Sequence, residues 1–456
     1  MYWEPREPQL LMRDFIIEHP RCNVWADMGM AKTSSTLTAL DILWLAGSQF
    51  WPALVLAPKR VARDTWGDET EKWDHLQHLR VSKILGTPEQ RVSACLVEAD
   101  VYTTNYENIP WLVDFFGGQK RWPFKIIIAD ESRKLQGFRI SHGGIRAAAL
   151  SKIAKITGRW VNLTGTPAPE GLIDLWGPNW FVDFGATLGR THTAFAGRWF
   201  NKGEYGLEPY AHAKEEMMKL IAPFTISLAS KDYYDGLELP VERPVYFDLP
   251  PKALRIYNDM EVDMFAQLPV NEVEAMNSGS KYGKCSQIAS GAIYVDDRGN
   301  WEKVHDCKLD ALQEIVDELC GDPLLVAYHF KHDKERILAR FPHARVYDTK
   351  QDSDDWNAGK IKMMLAHPQS AGHGLNWQDG GCNIALFSQI PSLELRMQII
   401  ERIGPLRQLQ SGHPRPVNVW NIIARGTVNE VDYARAATKA TIQAAIREYQ
   451  ARKRRC

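Results

Sequence analysis

At 456 residues, 45% hydrophobic and 24% charged, the chain has ordinary globular usage and enough length for two or three domains with full cores. A formal net charge of −1 excludes nucleic-acid binding through overall basicity, so any such surface has to come from local segregation of charge. The seven cysteines are scattered singly with no C-x-x-C, as in a cytosolic protein with reduced thiols; with no membrane-length apolar run and no signal-peptide core, a cytoplasmic location is expected.

Short apolar strands alternate with helical patterns twice over, which predicts an α/β chain with two parallel sheets in tandem. The first set of strands is expected at 21–25, 53–57, 101–104, 125–129 and 160–163. A helix is expected from Ser34 to Leu45. From Asp174 to His305 the rhythm breaks: Trp176, Trp180, Trp199 and Phe200 cluster there, a helical run covers 252–267, and 277–281 is rich in Gly, Ser and Lys. This stretch reads as insertions packed on two cores, with a linker near 239–250. The second set of strands is expected at 324–328, 345–347, 363–366, 384–387 and 417–423. Both sets fit open sheets that bind ligands at the carboxyl ends of their strands. The expected division is 1–173 for the first domain and 174–240 for a helical insertion and linker. It continues with 241–305 for the start of the second lobe with its own helical insertion, 306–440 for the second domain, and 441–456 for a basic tail. The tail reads either as a solvated end or as a contact to a phosphate backbone. Most of the sixteen tryptophans are expected to pack in cores.

The segment Trp25-Ala26-Asp27-Met28-Gly29-Met30-Ala31-Lys32-Thr33 carries the chemistry of a phosphate-binding loop. A strand that enters a tight turn and then a helix surrounds phosphates with backbone N–H groups and the positive end of the helix dipole. Lys32 is placed to reach the β/γ oxygens and the Thr33 hydroxyl to ligate Mg²⁺, with Met28, Gly29, Met30, Ala31 and Ser34 completing the nucleotide-binding set. The position before the lysine is normally glycine and here is Ala31, whose methyl group is expected to crowd the approach of backbone to phosphate. About a hundred residues later Asp130-Glu131 ends the apolar run at 126–129. Phosphoryl transfer to water needs a held metal and a positioned water, for which Asp130 and Glu131 are suited. Loop and carboxylates together predict binding of a nucleoside triphosphate with a metal.

Further motifs follow in a fixed order. Gln9 lies upstream of the loop; Ala57-Pro58-Lys59-Arg60 ends the second strand and Thr103-Thr104-Asn105-Tyr106-Glu107 the third. Asp130-Glu131-Ser132-Arg133-Lys134 ends the fourth and Leu163-Thr164-Gly165-Thr166-Pro167 the fifth. The second set carries Ser370-Ala371-Gly372-His373-Gly374-Leu375-Asn376 and Gln398-Ile399-Ile400-Glu401-Arg402, followed by Arg407-Gln408. From about Pro5 to Arg435 this order resembles superfamily 2 helicases, within them the Swi/Snf-type DNA translocases, and particularly small bacteriophage helicases of DEAD/DEAH-box type.

The resemblance implies two RecA-like domains with mostly helical insertions, ATP and Mg²⁺ as nucleotide and metal, and DNA as the partner of a monomer. Gln9 would read the adenine edge. Thr164, Gly165 and Thr166 would relay between the phosphate site and a DNA groove, a role compatible with a turn that caps a helix. Gly372, Gly374 and Asn376 would form a loop facing ATP and DNA, or else a plain loop, with Gln398 in the coupling set; His373, which lacks a partner at metal spacing, reads as a loop side chain. Arg402 matches the first arginine of the family's last motif. The second is expected three residues later, where this chain has Pro405; Arg407, two residues on, is the candidate to replace it. Lys59, Arg60, Arg63, Thr104, Asn105, Arg133, Lys134 and Lys331 would track the DNA backbone, independent of base sequence and weakened by salt. Two other readings stay open: a DNA clamp that uses ATP as a signal with little turnover, and an RNA-directed helicase of the same superfamily.

Overall fold

In the computed structural model of the protein the described residues are 1–47, 51–139, 144–168, 171–203, 206–267, 272–274, 278–371, 375–413 and 415–439. They fold as two compact units, one within Met1–Asp235 and the other Gly236–Thr438.

The first unit is built on seven strands: β1 (Arg21–Ala26), β2 (Ala53–Ala57), β3 (Val81–Lys83), β4 (Val101–Asn105), β5 (Ile126–Asp130), β6 (Arg159–Thr164) and β7 (Thr225–Leu228). Their order across the sheet is β3-β4-β2-β5-β6-β1-β7, and every pairing is parallel. Strands β2, β4 and β5 are buried along their whole length. That is why they read as nearly unbroken apolar runs: helices cover both faces of a parallel sheet and leave no polar face to alternate. Register pairs Trp25 with Thr164 and Asp130 with Leu163, so β1, β6 and β5 end side by side on one edge.

The second unit has six strands: β8 (Val241–Phe247), β9 (Leu324–Ala327), β10 (Arg345–Val346), β11 (Met363–Ala366), β12 (Asn383–Leu386) and β13 (Asn418–Ala424). Their order is β8-β13-β12-β9-β11-β10, again all parallel. Two RecA-like sheets in tandem are therefore present, and each of the ten expected strands is found with its ends within one residue of the expected ones. The expected helix at 252–267 ends sooner, at Asp263, and Phe265–Gln267 is extended.

The stretch expected to hold a linker and insertions corrects the sequence reading in two places. Val241–Phe247, expected as linker, is strand β8, in register with all seven residues of β13. It lies at a sheet edge, most of its residues are exposed, and Pro244 removes one ladder donor, so it lacks the apolar continuity of a central strand. Thr225–Leu228, expected among helical insertions, is β7 and completes the first sheet beside β1. The remaining insertion packs its aromatics onto the first core: Trp176 stacks on Phe138 at 5.4 Å and Phe181 on Trp160 at 4.8 Å. Ten of the sixteen tryptophans are buried, which makes them packing residues and not an exposed stacking platform.

Candidate functional site

The loop between β1 and helix α2 (Lys32–Leu45) turns on two left-handed residues, Gly29 at φ +79° and Ala31 at φ +58°, ψ +42°. Ala31 is the N-cap of α2, and the left-handed region is open to glycine but costs any other L-residue roughly 1–2 kcal/mol. The glycine usual at this position thus has a backbone reason besides room for the phosphate. Lys32 Nζ donates to the carbonyls of Ala26 at 2.7 Å and Asp27 at 3.2 Å, which curls its side chain over the mouth of the loop. Ser34 and Ser35 both donate to the Ala31 carbonyl at 3.1 Å and fasten the first turn. Asp27 Oδ2 accepts from Ser230 N at 2.9 Å and Ser230 Oγ at 3.1 Å, so the chain leaving β7 braces the loop from its flank.

Asp130 and Glu131 lie two strands away on the same edge, only 8% and 5% exposed. Asp130 Oδ2 accepts from Trp66 Nε1 at 3.1 Å and its Oδ1 from Glu131 N at 3.1 Å, which fixes the carboxylate plane. Glu131 is itself left-handed, at φ +54°, where the strand breaks into the Ser132–Leu135 turn. Tyr106 Oη donates to the Asp130 carbonyl at 2.8 Å; burial, then the charges of Asp130, Glu131 and Glu107, raise its pKa well above the usual phenol value, so it stays a neutral donor. Between the loop and the carboxylates, Thr164 Oγ1 accepts from Thr166 N at 3.0 Å, and a methyl group on Gly165 would lie 3.4 Å from the Ala26 carbonyl. The Thr164–Thr166 turn therefore packs against Ala26 and Met28 of the loop segment.

One positioning residue escaped the sequence reading. A Cβ on Gly177 would lie 2.2 Å from the Leu135 carbonyl, so the insertion helix Trp176–Asp183 can approach the turn behind Glu131 only as glycine. Nothing in the local sequence around Gly177 marks that long-range contact.

The other candidate residues of the first unit divide by exposure. Gln9 is 8% exposed, and its Oε1 accepts from Arg6 N at 2.7 Å at the start of α1 (Glu7–Glu18). Lys59, Arg63 and Lys134 are exposed and Arg60 and Arg133 half-buried, with Arg63 forked onto Asp64 through two 2.8 Å contacts. Thr104 is a correction: it is fully buried and its hydroxyl donates to the Ile84 carbonyl at 2.9 Å, so it supports the strand end and is not surface. Asn105 is 7% exposed and its Nδ2 donates to Glu107 at 2.7 Å.

In the second unit, helix α3 (Leu393–Glu401) carries Gln398, buried, whose Nε2 donates to Glu394 Oε1 at 2.7 Å. Arg402, at its C-cap, is 3% exposed; Nη1 donates to the Leu375 carbonyl at 3.1 Å, and its own carbonyl accepts from Trp377 N at 2.8 Å. Asn376, between those contacts, is exposed. Pro405 opens a new helix, α4 (Pro405–Gln410), as expected of a proline at the first helical position. Gly404, its N-cap, is extended at φ −59° and ψ +159°, and the Glu401 carboxylate lies close beside it. Arg407 lies on α4, where burial lowers its pKa and the Glu401 charge opposes that shift. Lys331 is exposed. Gly372, His373, Gly374 and the tail 441–456 lie outside the described residues.

The oxygen donors Thr33 and Asp130 suit a hard divalent cation that keeps several waters, so the residues fit Mg²⁺. A phosphate loop, paired carboxylates on the same sheet edge and a second RecA-like sheet define a P-loop nucleotide hydrolase of two tandem units. Residues 21–294, more than half of the chain, match the family model of the SNF2-related domain, and the protein belongs to that family of superfamily 2 ATPases. It is 48% identical over 458 residues to the putative protein p41 of Acyrthosiphon pisum secondary endosymbiont phage 1, covering 98% of this chain and 99% of that one. It is 26% identical over 252 residues to the mouse DNA annealing helicase and endonuclease ZRANB3, covering 52% of this chain and only 22% of that protein. Among solved structures, the Sulfolobus solfataricus SWI2/SNF2 ATPase core in complex with dsDNA is similar over 97% of this chain and 94% of that chain, at 20% identity and a TM-score of 0.47.

The loop supports one prediction on its own. Because the Ala31 methyl group is expected to crowd the phosphate, and the residue's conformation is one that glycine adopts freely, Ala31→Gly is expected to bind ATP several-fold more tightly, the equivalent of about 1 kcal/mol, with thermal stability no lower than before. Nucleotide titration of both variants measures this. Weaker binding by the glycine variant would mean that the alanine pre-sets the loop instead of straining it.

Proposed function

We propose that the protein is an ATP-driven DNA translocase that remodels duplex or branched DNA. The single observation that supports this reading is the common edge at which β1, β6 and β5 end side by side, leading into the loop before Lys32, the Thr164–Thr166 turn and Asp130-Glu131 in a SNF2-related chain.

The roles follow from the chemistry of phosphoryl transfer, which asks for positioned groups and neutralised charge more than for covalent steps. Lys32 and the loop amides, with Met28, Gly29, Met30 and Ser34 around them, hold the phosphates of ATP, and Gln9 turns its amide to the adenine edge. Thr33 and Asp130 would hold Mg²⁺, which would supply charge neutralisation to the phosphates. Glu131 orients the attacking water and accepts its proton. Arg402 of the second unit exchanges its Leu375 carbonyl contact for phosphate oxygens during turnover, with Arg407 as the second cation and Asn376, Gly372, Gly374 and Gln398 coupling the nucleotide to movement. The exposed or half-buried Lys59, Arg60, Arg63, Arg133, Lys134 and Lys331, helped by Asn105, grip the DNA backbone.

Steady-state ATPase assays with single-stranded DNA, duplex DNA, four-way junctions and RNA test the reading. DNA is expected to stimulate turnover, with duplex or branched forms at least as effective as single strands. Because the grip is on phosphates, the stimulation should vary little with base sequence and fall steeply as salt is raised. Stimulation by RNA alone would make the protein an RNA-directed helicase, and DNA binding without stimulated turnover would make it a clamp.

A further inference from the structure

A cavity of about 900 Å³ opens on the second unit at the carboxyl ends of β9 and β11. That volume is within the range of sites that take a small organic ligand. The chain leaving β9 supplies Phe330 and Lys331, and a hairpin of Ala292–Tyr294 and Trp301–Lys303 supplies Tyr294 and the carboxylates Asp296 and Asp297 of its tip. Tyr294 Oη accepts from Lys331 N at 2.9 Å, which ties the hairpin to the strand end and makes one wall of the two.

The lining is divided by chemistry. The rings of Phe330 and Tyr294 lie 6.5 Å apart at 76°, and Phe330 stacks on His332 at 5.0 Å. His329 and His367 stack on each other at 5.8 Å and 20°, and burial lowers the pKa of both, so near neutral pH they add two more uncharged rings. Exposed Lys331 and half-buried Lys334 bring two cations to the opening, and Lys284, whose Nζ donates to the Tyr294 carbonyl at 2.6 Å, brings a third. Asp296 is engaged within the hairpin, accepting from Arg298 N and Asn300 N, while Asp297 adds a second carboxylate that repels an anion and accepts from an amino group.

We propose that this cavity takes one unpaired nucleotide of a DNA strand, the base against the aromatic wall and its phosphate on Lys331 and Lys334. Paired DNA hides its base faces in the stack and would meet only the lysines. A free inorganic anion would leave the rings unused and face the tip carboxylates. An unpaired nucleotide matches each part: a π-face for the rings, exocyclic amino groups for Asp297 and a phosphate for the ammonium groups. The inference rests on the DNA-translocase reading and adds to it a preference for forks, gaps and frayed ends.

Anisotropy titrations of the full chain with a paired duplex and with a fork bearing unpaired arms test the proposal, with 2-aminopurine in one arm reporting stacking. The wild type is expected to bind the fork more tightly than the duplex and to quench the probe. Phe330→Ala is expected to weaken fork binding roughly ten-fold or more, the usual weight of one base–aromatic stack, while duplex binding changes by less than about two-fold; Phe330→Trp should restore both fork affinity and quenching. Tyr294→Phe, which keeps the ring and loses the Lys331 contact, should retain quenching. Equal losses on duplex and fork, or unchanged fork binding in Phe330→Ala, would overturn the pocket and leave the DNA reading standing. No binding of either DNA by the wild type would overturn that reading and the pocket with it.

Discussion

Glu131→Gln is expected to abolish ATP turnover while leaving ATP binding near the wild-type level. The substitution keeps the shape of a side chain that is 5% exposed and removes only its charge and its capacity to take a proton, so the turn at φ +54° has no reason to collapse. A water positioned without a base loses rate in the chemical step and not in binding, and a loss of roughly 10²–10⁴-fold is the usual weight of such a group. Lys32→Ala is the contrasting variant. It takes away the ammonium that now bonds to the Ala26 and Asp27 carbonyls, and binding and turnover should fall together. Single-turnover ATPase and nucleotide titration separate the two effects. Wild-type turnover in Glu131→Gln would remove this carboxylate from the reaction and leave the loop as a binding site alone.

How much of this was legible before the structure depends on what each feature needs. The central strands were legible because burial on both faces forces an unbroken apolar run, as in Ile126-Ile127-Ile128-Ala129. The loop and the carboxylate pair were legible because their chemistry demands particular residue types at strand ends. Edge elements were not. Strand β8 contains Glu242, Arg243 and Pro244, and nothing local separates it from a linker; what makes it a strand is the β13 ladder and the Arg396–Glu242 ion pair at 2.8 Å, both contributed by residues more than 150 positions away. Thr104 shows the opposite error, since its place in a motif at a strand end suggested surface, while the fold turns its hydroxyl inward to the Ile84 carbonyl. Ala31 lies between these cases: the sequence showed that it departs from glycine, and the backbone showed that the departure concerns φ as well as space.

Arg402→Ala is expected to lower ATP turnover about 10³-fold with DNA binding retained, the typical weight of one arginine that neutralises charge on a transferring phosphoryl group. The side chain is 3% exposed and holds the Leu375 carbonyl, so part of any loss could come from the fold; thermal unfolding of the variant measures that part, and ATP-free DNA binding shows whether the second unit is intact. Arg407 is the sharper test. The break at Gly404-Pro405 ends one helix and starts another, which turns the chain away from the direction in which an unbroken helix would have carried a residue three places after Arg402. If α4 brings Arg407 to that role, Arg407→Ala lowers turnover at least ten-fold, and the double variant with Arg402→Ala falls no further than about the product of the two. Burial already lowers the pKa of Arg407 and the Glu401 charge opposes the shift, so Glu401→Gln should weaken the hold on that guanidinium. Near-normal turnover in Arg407→Ala would mean that this motor works with one arginine and that α4 serves only to pack Gln408 against the Gln378, Gly381 and Ile403 carbonyls.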